Sequence, residues 1–100
     1  DLSKVIIAYE PVWAISSVKS AKLAAPDDIA EVTGFIRKIL LDAYGKSAAE
    51  VPILFGGSVN PSNAGAYLTV PEVNGLLVGG SSLILSEFIG IIDIAKRVKS

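Results

Sequence analysis

The residue whose position most suggests chemistry is Glu10, a carboxylate that comes directly after a short apolar run. That run, Val5 to Tyr9, is rich in β-branched residues and predicts a parallel strand buried on both faces. Enzymes built from parallel strands and helices commonly carry their catalytic groups at the C-terminal ends of the strands, where Glu10 stands. By position alone, a solvated carboxylate at a strand end explains Glu10 equally well.

A glycine pair follows each of the next two apolar runs. Val51 to Phe55 leads into Gly56-Gly57-Ser58-Val59, and Gly75 to Val78 leads into Gly79-Gly80-Ser81-Ser82. Glycine lets backbone N–H groups approach an anion without obstruction by a side chain. One pair alone would simply mark a tight turn. The second pair, in the same place after the next strand, makes phosphate binding an equally good explanation.

Segments with helical periodicity separate the three apolar runs. Pro26 suits the first turn of a helix, Asp27 and Asp28 follow it in the positive first turn, and Gly45 is expected to end the helix as a left-handed cap. The apolar positions at helical spacing form the predicted stripe: Ile29, Val32, Phe35, Ile36, Ile39, Leu40 and Ala43.

Two further helices are predicted after the glycine pairs. Asn60-Pro61 is expected to open a short helix that runs through about Leu68, and Ser86 is expected to cap the last helix. The apolar positions of that last helix include Ile89, Ile92 and an outward-leaning Phe88. This alternation predicts an α/β fold with parallel strands and right-handed crossovers.

The predicted fold is incomplete as an independent domain. Three parallel strands are too few for a sheet covered on both faces, and a closed β/α barrel needs eight strand–helix units. Hydrophobic residues make up 51% of the 100 residues, which is more apolar surface than a chain of this size comfortably hides. Residues 1–100 are therefore expected to need the other five units from elsewhere, and two copies of the chain would not close the same barrel.

Composition excludes several classes of function. The net charge is −1 with no basic stripe, which argues against nucleic-acid binding. The chain has no cysteine and no histidine, so neither disulfides nor a zinc site is expected. The most apolar stretch, Leu83 to Ala95, is too short to span a bilayer and contains Glu87 and Asp93, so no membrane association is expected. Together with the lack of an export signal, these features predict a cytoplasmic protein.

Four segments resemble one enzyme family. Tyr9-Glu10-Pro11-Val12-Trp13-Ala14-Ile15 is similar to the sixth-strand signature of triosephosphate isomerases. Phe35-Ile36-Arg37-Lys38 resembles the sixth helix of that family, Gly56-Gly57-Ser58-Val59 its seventh loop, and Leu77 to Leu83 its eighth. The order and spacing agree from about Lys4 to the end of the chain. The resemblance implies the C-terminal three-eighths of a (β/α)8 TIM barrel, units six to eight.

The resemblance also implies a reaction and roles for individual residues. Members interconvert dihydroxyacetone phosphate and glyceraldehyde 3-phosphate through an enediolate, in glycolysis and gluconeogenesis, without a cofactor. Glu10 would be the catalytic base. The implied phosphate contacts are Ser16, Ser58, Gly79 and Gly80. The implied lid runs from Pro11 to about Ala21 and includes Val12, Trp13, Lys19 and Ser20.

The chain departs from the family pattern in its lid and beside it. The family lid reads Ala-Ile-Gly-Thr-Gly-Lys-Thr-Ala, whereas Ser16 and Val18 replace its glycines here and the lid's exit is about three residues longer. Phe55 stands where the family usually has a tyrosine whose hydroxyl holds the closed lid, and Asn74 where it commonly has an aspartate paired with the helix arginine, here Arg37. These changes predict a looser lid rather than a different reaction.

The resemblance implies partners as well. The family's lysine and histidine electrophiles lie on earlier strands, so the implied partners are a triose phosphate, an N-terminal segment with the first five units, and an oligomeric assembly. Two other interpretations of the sequence are a phosphate-binding segment of a different barrel enzyme, and a non-catalytic relic or self-assembling scaffold. The first leaves the stretch around Glu10 unexplained, whereas the altered lid and the surplus apolar surface favour the second.

Overall fold

Three parallel strands form one sheet in the order β1-β2-β3. The strands are β1 (Ile7–Tyr9), β2 (Ile53–Gly57) and β3 (Gly75–Val78). The computed structural model describes residues 1–14 and 23–99. The register pairs Tyr9 with Phe55 and Gly57 with Val78, so the C-terminal ends of the strands lie along one edge of the sheet. The predicted parallel strand–helix alternation is confirmed.

The bounds and burial of two strands differ from prediction. β1 is shorter than the run from Val5 to Tyr9, and it is not buried on both faces, because Ala8 is exposed. Nothing in the described part of the chain covers that face. β2 does not end before its glycines, since the register pairs Gly56 and Gly57 with β3. The glycines after β2 are therefore part of the sheet edge rather than of the following turn.

Three helices follow the strands: α1 (Pro26–Tyr44), α2 (Ala64–Leu68) and α3 (Leu85–Val98). Pro26 begins α1, with Asp27 and Asp28 in its first turn, as predicted. Gly45 ends it with a φ of 72°, a conformation that favours glycine. Its ψ of −155° lies outside the left-handed helical region, so the positive φ is confirmed and the left-handed cap is not. Within the described ranges, no helix is long and apolar enough to cross a membrane.

The buried face of α1 differs from the predicted apolar stripe. Ile29 is buried as predicted, but the other buried residues of the helix are Thr33 and Arg37, and Phe35 is 61% exposed. Both polar side chains are satisfied internally: the Thr33 hydroxyl donates to the Ile29 carbonyl at 2.8 Å, and Arg37 has four acceptors. The predicted stripe is therefore shifted to one side of the buried face, because hydrophobicity alone set it. Its members Val32, Ile36 and Leu40 are half-buried, whereas Phe35, Ile39 and Ala43 are exposed.

Arg37 ties α1 to the N-terminal side of the sheet. Its Nη1 donates to the carbonyls of Ala48 at 2.8 Å and Val51 at 2.7 Å. Nη2 donates to the Asn74 side-chain oxygen at 3.1 Å, and Nε donates to Glu72 at 3.1 Å. The predicted contact with Asn74 is therefore present, and Glu72 supplies the negative charge that asparagine lacks.

The predicted caps of α2 and α3 are wrong in detail. α2 begins at Ala64, and Asn60 instead holds the preceding turn, where its side-chain oxygen accepts from the backbone N–H groups of Ser62 at 2.9 Å and Asn63 at 3.1 Å. α3 begins one residue before Ser86, so Ser86 is in its first turn rather than at its cap. Ser86 therefore lies inside the hydrogen-bonded turn that it was expected to precede.

The core lies between one face of the sheet and the helices. Its fully buried members include Ile29, Ile53, Phe55, Leu68 and Val73. On α3 only Ile91 is buried, whereas Ile89, Ile92 and Phe88 are all exposed. The outward position of Phe88 was predicted, and those of Ile89 and Ile92 were not. Their exposure follows from the absence of a neighbour on that side within the described chain.

The opposite face of the sheet is open. Side chains alternate between the two faces of a strand, so Ala8, Leu54, Gly56 and Leu77 share this face, given the register of the three strands. Leu77 is 43% exposed, and Ile6, just before β1, is 64% exposed. The open face is thus apolar and unpartnered in the described chain.

Candidate functional site

Glu10 lies at the C-terminal edge of the sheet, one residue after β1. Glu10 is two residues after Ala8, so its side chain lies on the same open face of the sheet. There it lies directly over Gly56 of β2. A Cβ atom added to Gly56 would stand 2.6 Å from Glu10 Cγ and 2.8 Å from Oε1. The position of the Glu10 side chain therefore depends on a glycine in the neighbouring strand. Glu10 itself is exposed.

Directly after Gly56, the ends of β2 and β3 form an open cleft of about 360 Å³, which Glu10 itself does not line. Ser58 and Gly80, both predicted phosphate contacts, line it together. The other lining residues are Gly57, Val59, Asn60, Ser81, Ile84 and Glu87. Apart from the side chains of Asn60 and Glu87, the polar groups that these residues can offer are backbone groups and serine hydroxyls, a set that suits an anion.

A network of asparagine side chains holds the turn after β2 that carries Ser58. The Asn63 side-chain nitrogen donates to the Ser58 carbonyl at 2.7 Å. The Asn63 side-chain oxygen accepts from the Asn60 N–H at 2.8 Å, and the Val59 N–H donates to the Gly57 carbonyl at 2.9 Å. These bonds fix the backbone of one wall of the cleft.

The other wall is a 3-10 turn, Gly80–Leu83, between β3 and α3. The Gly79 carbonyl accepts from both the N–H and the hydroxyl of Ser82, at 2.9 and 2.6 Å. The Ser81 hydroxyl donates to Glu87 Oε1 at 2.6 Å. Gly79 thus shapes the turn through its carbonyl, and only Gly80 of the glycine pair lines the cleft.

The predicted lid is described only at its start. Pro11 is buried at its start, and Val12 and Trp13, in a 3-10 turn Val12–Ala14, are exposed. Ser16, Lys19, Ser20 and Ala21, together with Val18, lie outside the described residues. The phosphate contact of Ser16 and the extent of the lid therefore remain predictions.

A buried tyrosine on α2, Tyr67, fixes the backbone just before α1. The Tyr67 hydroxyl, on α2, donates to the Ala24 carbonyl at 3.0 Å, just before α1. Its ring packs against Phe55 with centroids 4.7 Å apart. Burial raises the pKa of the Tyr67 hydroxyl above its usual value, so the group stays a neutral donor at physiological pH. Phe55, which lacks the family's hydroxyl, is a fully buried core residue beside it.

Comparison with known proteins identifies the family. A sequence profile described as triosephosphate isomerase matches residues 1–95. The chain belongs to the triosephosphate isomerase family. It is 46% identical over 97 residues to the triosephosphate isomerase of Phocaeicola vulgatus, an alignment covering 96% of this chain and 38% of the relative. It is 50% identical over 89 residues to that of Chlamydia muridarum, covering 88% of this chain and 32% of the relative.

The fold comparison agrees with this assignment. The solved structure of triosephosphate isomerase from Bartonella henselae superposes with a TM-score of 0.80 at 39% identity, and the match covers 95% of this chain and 35% of that structure. The chain thus spans about a third of the length of these family members. Three of the eight units of a barrel amount to a similar share, so the prediction of an α/β fold forming part of a TIM barrel is confirmed.

The structure places some of the residues predicted for the site close together and others apart. The structure brings Ser58 and Gly80 to one cleft and places Glu10 on the adjacent strand end. It does not bring Gly79 into the cleft wall, and it adds Glu87 and Ser81, which sequence reasoning missed. The available signal was a serine in the turn after β3 followed by a glutamate in the first turn of the next helix.

Proposed function

We propose that this chain is the part of a triosephosphate isomerase that supplies the catalytic base and much of the phosphate site. Glu10 would move a proton between the two carbons of dihydroxyacetone phosphate and glyceraldehyde 3-phosphate, through an enediolate and without a cofactor. Ser58 and the backbone N–H of Gly80, which line the cleft, would hold the phosphate. Gly79, the other glycine that the family resemblance implies, is not among the residues that line it. The enzyme is a standard example of a glutamate base acting beside a neutral histidine under a closing loop.

The observation that carries the proposal is the placement of Glu10 beside the cleft. The carboxylate lies over Gly56, two residues before Ser58, so a ligand whose phosphate sits between Ser58 and Gly80 would have its carbon atoms near Glu10. This spacing supports a substrate that carries both an acidic C–H group and a phosphate. A lone phosphate-binding turn gives no reason for a carboxylate in this position.

Because Glu10 is exposed, further strand–helix units would be needed to cover it. A carboxylate is a stronger base when protein covers it, because its charged form loses hydration. The open sheet face and the free outer edges of β1 and β3 would be covered by five preceding strand–helix units. Those units would also supply the electrophilic groups that stabilise the enediolate, the largest contribution to catalysis in many enzymes. An oligomer formed by the completed barrels is part of the same proposal.

The test joins this chain to the missing units. A gene fusion can place residues 1–100 after the first five units of the Phocaeicola vulgatus relative, replacing the region that this chain matches. We call this fusion the assembled barrel. It is expected to interconvert the two triose phosphates, and Glu10→Gln is expected to lower kcat by several orders of magnitude, because the amide cannot accept the substrate proton.

Glu50→Gln is the matched control. Glu50 is an exposed carboxylate at the opposite end of the sheet, just before β2, so the same substitution there is expected to leave the activity unchanged. If Glu10→Gln remains as active as the parent, Glu10 is not the base. If the assembled barrel folds, binds phosphate and does not isomerise, the non-catalytic interpretation gains support over the enzymatic one.

A further inference from the structure

The cleft contains a carboxylate that the proposed reaction does not use. Among the described residues that line it, Glu87 is the only one with an ionisable side chain. The remaining lining is neutral, so this part of the cleft has a net negative charge close to where a phosphate dianion would bind. Two like charges separated by a few ångströms repel each other even in water.

Glu87 is also held in place. It is half-buried in the first turn of α3, and its Oε1 accepts the Ser81 hydroxyl proton at 2.6 Å. A hydrogen bond of this length to an ionised acceptor is of the strong, charge-assisted kind. The bond joins the first turn of α3 to the turn that carries Gly80, so the charge is kept at the cleft rather than free to swing into solvent. It also commits the Ser81 hydroxyl to Glu87 instead of to a ligand.

We propose that Glu87 lowers the affinity of this cleft for phosphate dianions. The inference rests on the proposed function in taking a phosphate group as the ligand of the cleft. The repulsion acts on the phosphate, which stays unchanged while the carbon atoms react. It therefore raises the free energy of the bound substrate and of the transition state equally. Glu87 would then raise KM, leave kcat unchanged and favour release of the phosphorylated product.

The direct test is binding of inorganic phosphate to the assembled barrel, measured by calorimetry at low ionic strength. Glu87→Gln removes the charge and keeps an oxygen that can accept from Ser81, so the turn should stay in place. Phosphate is expected to bind roughly three- to tenfold more tightly to the variant, the size of the repulsion between a dianion and a nearby charge in a solvated cleft. At about 1 M salt, where screening acts over about 3 Å, the difference should largely vanish.

Asp93→Asn is the matched control for the charge. Asp93 is an exposed carboxylate on the same helix, and it does not line the cleft. Its replacement changes the net charge of the protein by the same amount, and phosphate affinity is expected to stay within error of the parent. An equal gain for Asp93→Asn and Glu87→Gln would overturn the proposal, because the effect would then be one of overall charge.

A double-mutant cycle tests the role of Ser81. Ser81→Ala releases the carboxylate, so the gain from Glu87→Gln should be smaller in a Ser81→Ala background than in the parent. Equal gains in the two backgrounds would show that Ser81 does not hold the charge in place, which contradicts this part of the proposal.

Steady-state kinetics separate this inference from the proposed function. In an active assembled barrel, Glu87→Gln is expected to lower KM by the same factor as the phosphate dissociation constant with kcat unchanged. If phosphate binds the parent and the variant equally, the inference fails although isomerisation stands. If the variant binds phosphate more tightly and neither protein isomerises, the inference stands and the proposed reaction fails.

Discussion

At the scale of single residues, the position of the proposed base, Glu10, depends on the absence of a side chain at Gly56. Glu10 occupies the space that a side chain at Gly56 would fill, and the two residues belong to different strands. Glycine is usually discussed for its backbone freedom, but Gly56 has no positive φ that would require it. Its function is to leave room above the strand. The carboxylate and the glycine therefore act as one unit.

Gly56→Ala in the assembled barrel is expected to reduce isomerisation strongly while changing stability little. The new Cβ would meet Glu10 Cγ at 2.6 Å, and the exposed glutamate side chain can move aside. A displacement of the base by about 1 Å can lower the rate on the order of a hundredfold. The measurements are kcat with glyceraldehyde 3-phosphate and the midpoint of thermal unfolding.

Gly34→Ala controls for the substitution itself. Gly34 lies within α1, and an added Cβ there meets no atom within 4 Å. Alanine is better than glycine in a helix by about 1 kcal/mol, so this variant should unfold at a slightly higher temperature and keep its activity. A Gly56→Ala variant with full activity would show that the close contact does not position Glu10.

The residues of the site differ in how far the sequence could predict them. Glu10, Ser58 and Gly80 follow strands directly, and parallel strands bring their C-terminal ends to one edge, so position along the chain predicts their proximity. Glu87 reaches the cleft only because the turn after β3 folds back against the first turn of α3. Turn geometry of this kind is not encoded in periodicity, so the serine and the glutamate in the sequence did not by themselves show that the two side chains meet.

At the scale of secondary-structure elements, Arg37 shows why the buried face of α1 was mispredicted. Hydrophobicity places charged residues outside, yet this guanidinium is buried because two backbone carbonyls, an amide oxygen and a carboxylate accept its protons. The acceptors come from two segments far from Arg37 in the sequence, Ala48 to Val51 and Glu72 to Asn74, so only the folded chain reveals them. The existence and order of the strands and helices, by contrast, followed from short apolar runs alternating with helical periodicity.

Arg37→Lys in the assembled barrel is expected to lower the free energy of unfolding by about 2–3 kcal/mol. Lysine keeps the charge but cannot reproduce the planar set of donors, so buried carbonyls of Ala48 or Val51 lose their partner. The measurement is denaturant unfolding, with the activity assayed under native conditions as a check of the fold.

Glu72→Gln separates the ion pair from the rest of the network. The Glu72 side chain is 41% exposed, and the pair it forms with Arg37 is expected to contribute less than about 1 kcal/mol. If the glutamine variant loses as much stability as Arg37→Lys, the carboxylate rather than the backbone carbonyls would be the main partner of the guanidinium.

At the scale of the whole molecule, the described chain is covered on one side only. The core fills the space between the sheet and its helices, whereas the opposite face presents Leu77 and the residues around it. β1 and β3 each have one unpaired edge, because the sheet has three strands in the order of the sequence. Exposed apolar faces and strand edges both favour association with further protein.

Residues 1–100 produced alone are therefore expected to associate with one another. When the first five units of the Phocaeicola vulgatus relative are added as a separate chain, a complex of defined size should replace this self-association. Size-exclusion chromatography with light scattering measures both states. Leu77→Glu puts a charge on the open face and should reduce both kinds of association, since either partner must bury that position. Tyr44→Glu, at the exposed end of α1 away from this face, should reduce neither. A compact monomer formed by the unmodified residues 1–100 would contradict the expectation, because it would mean that the open face needs no partner.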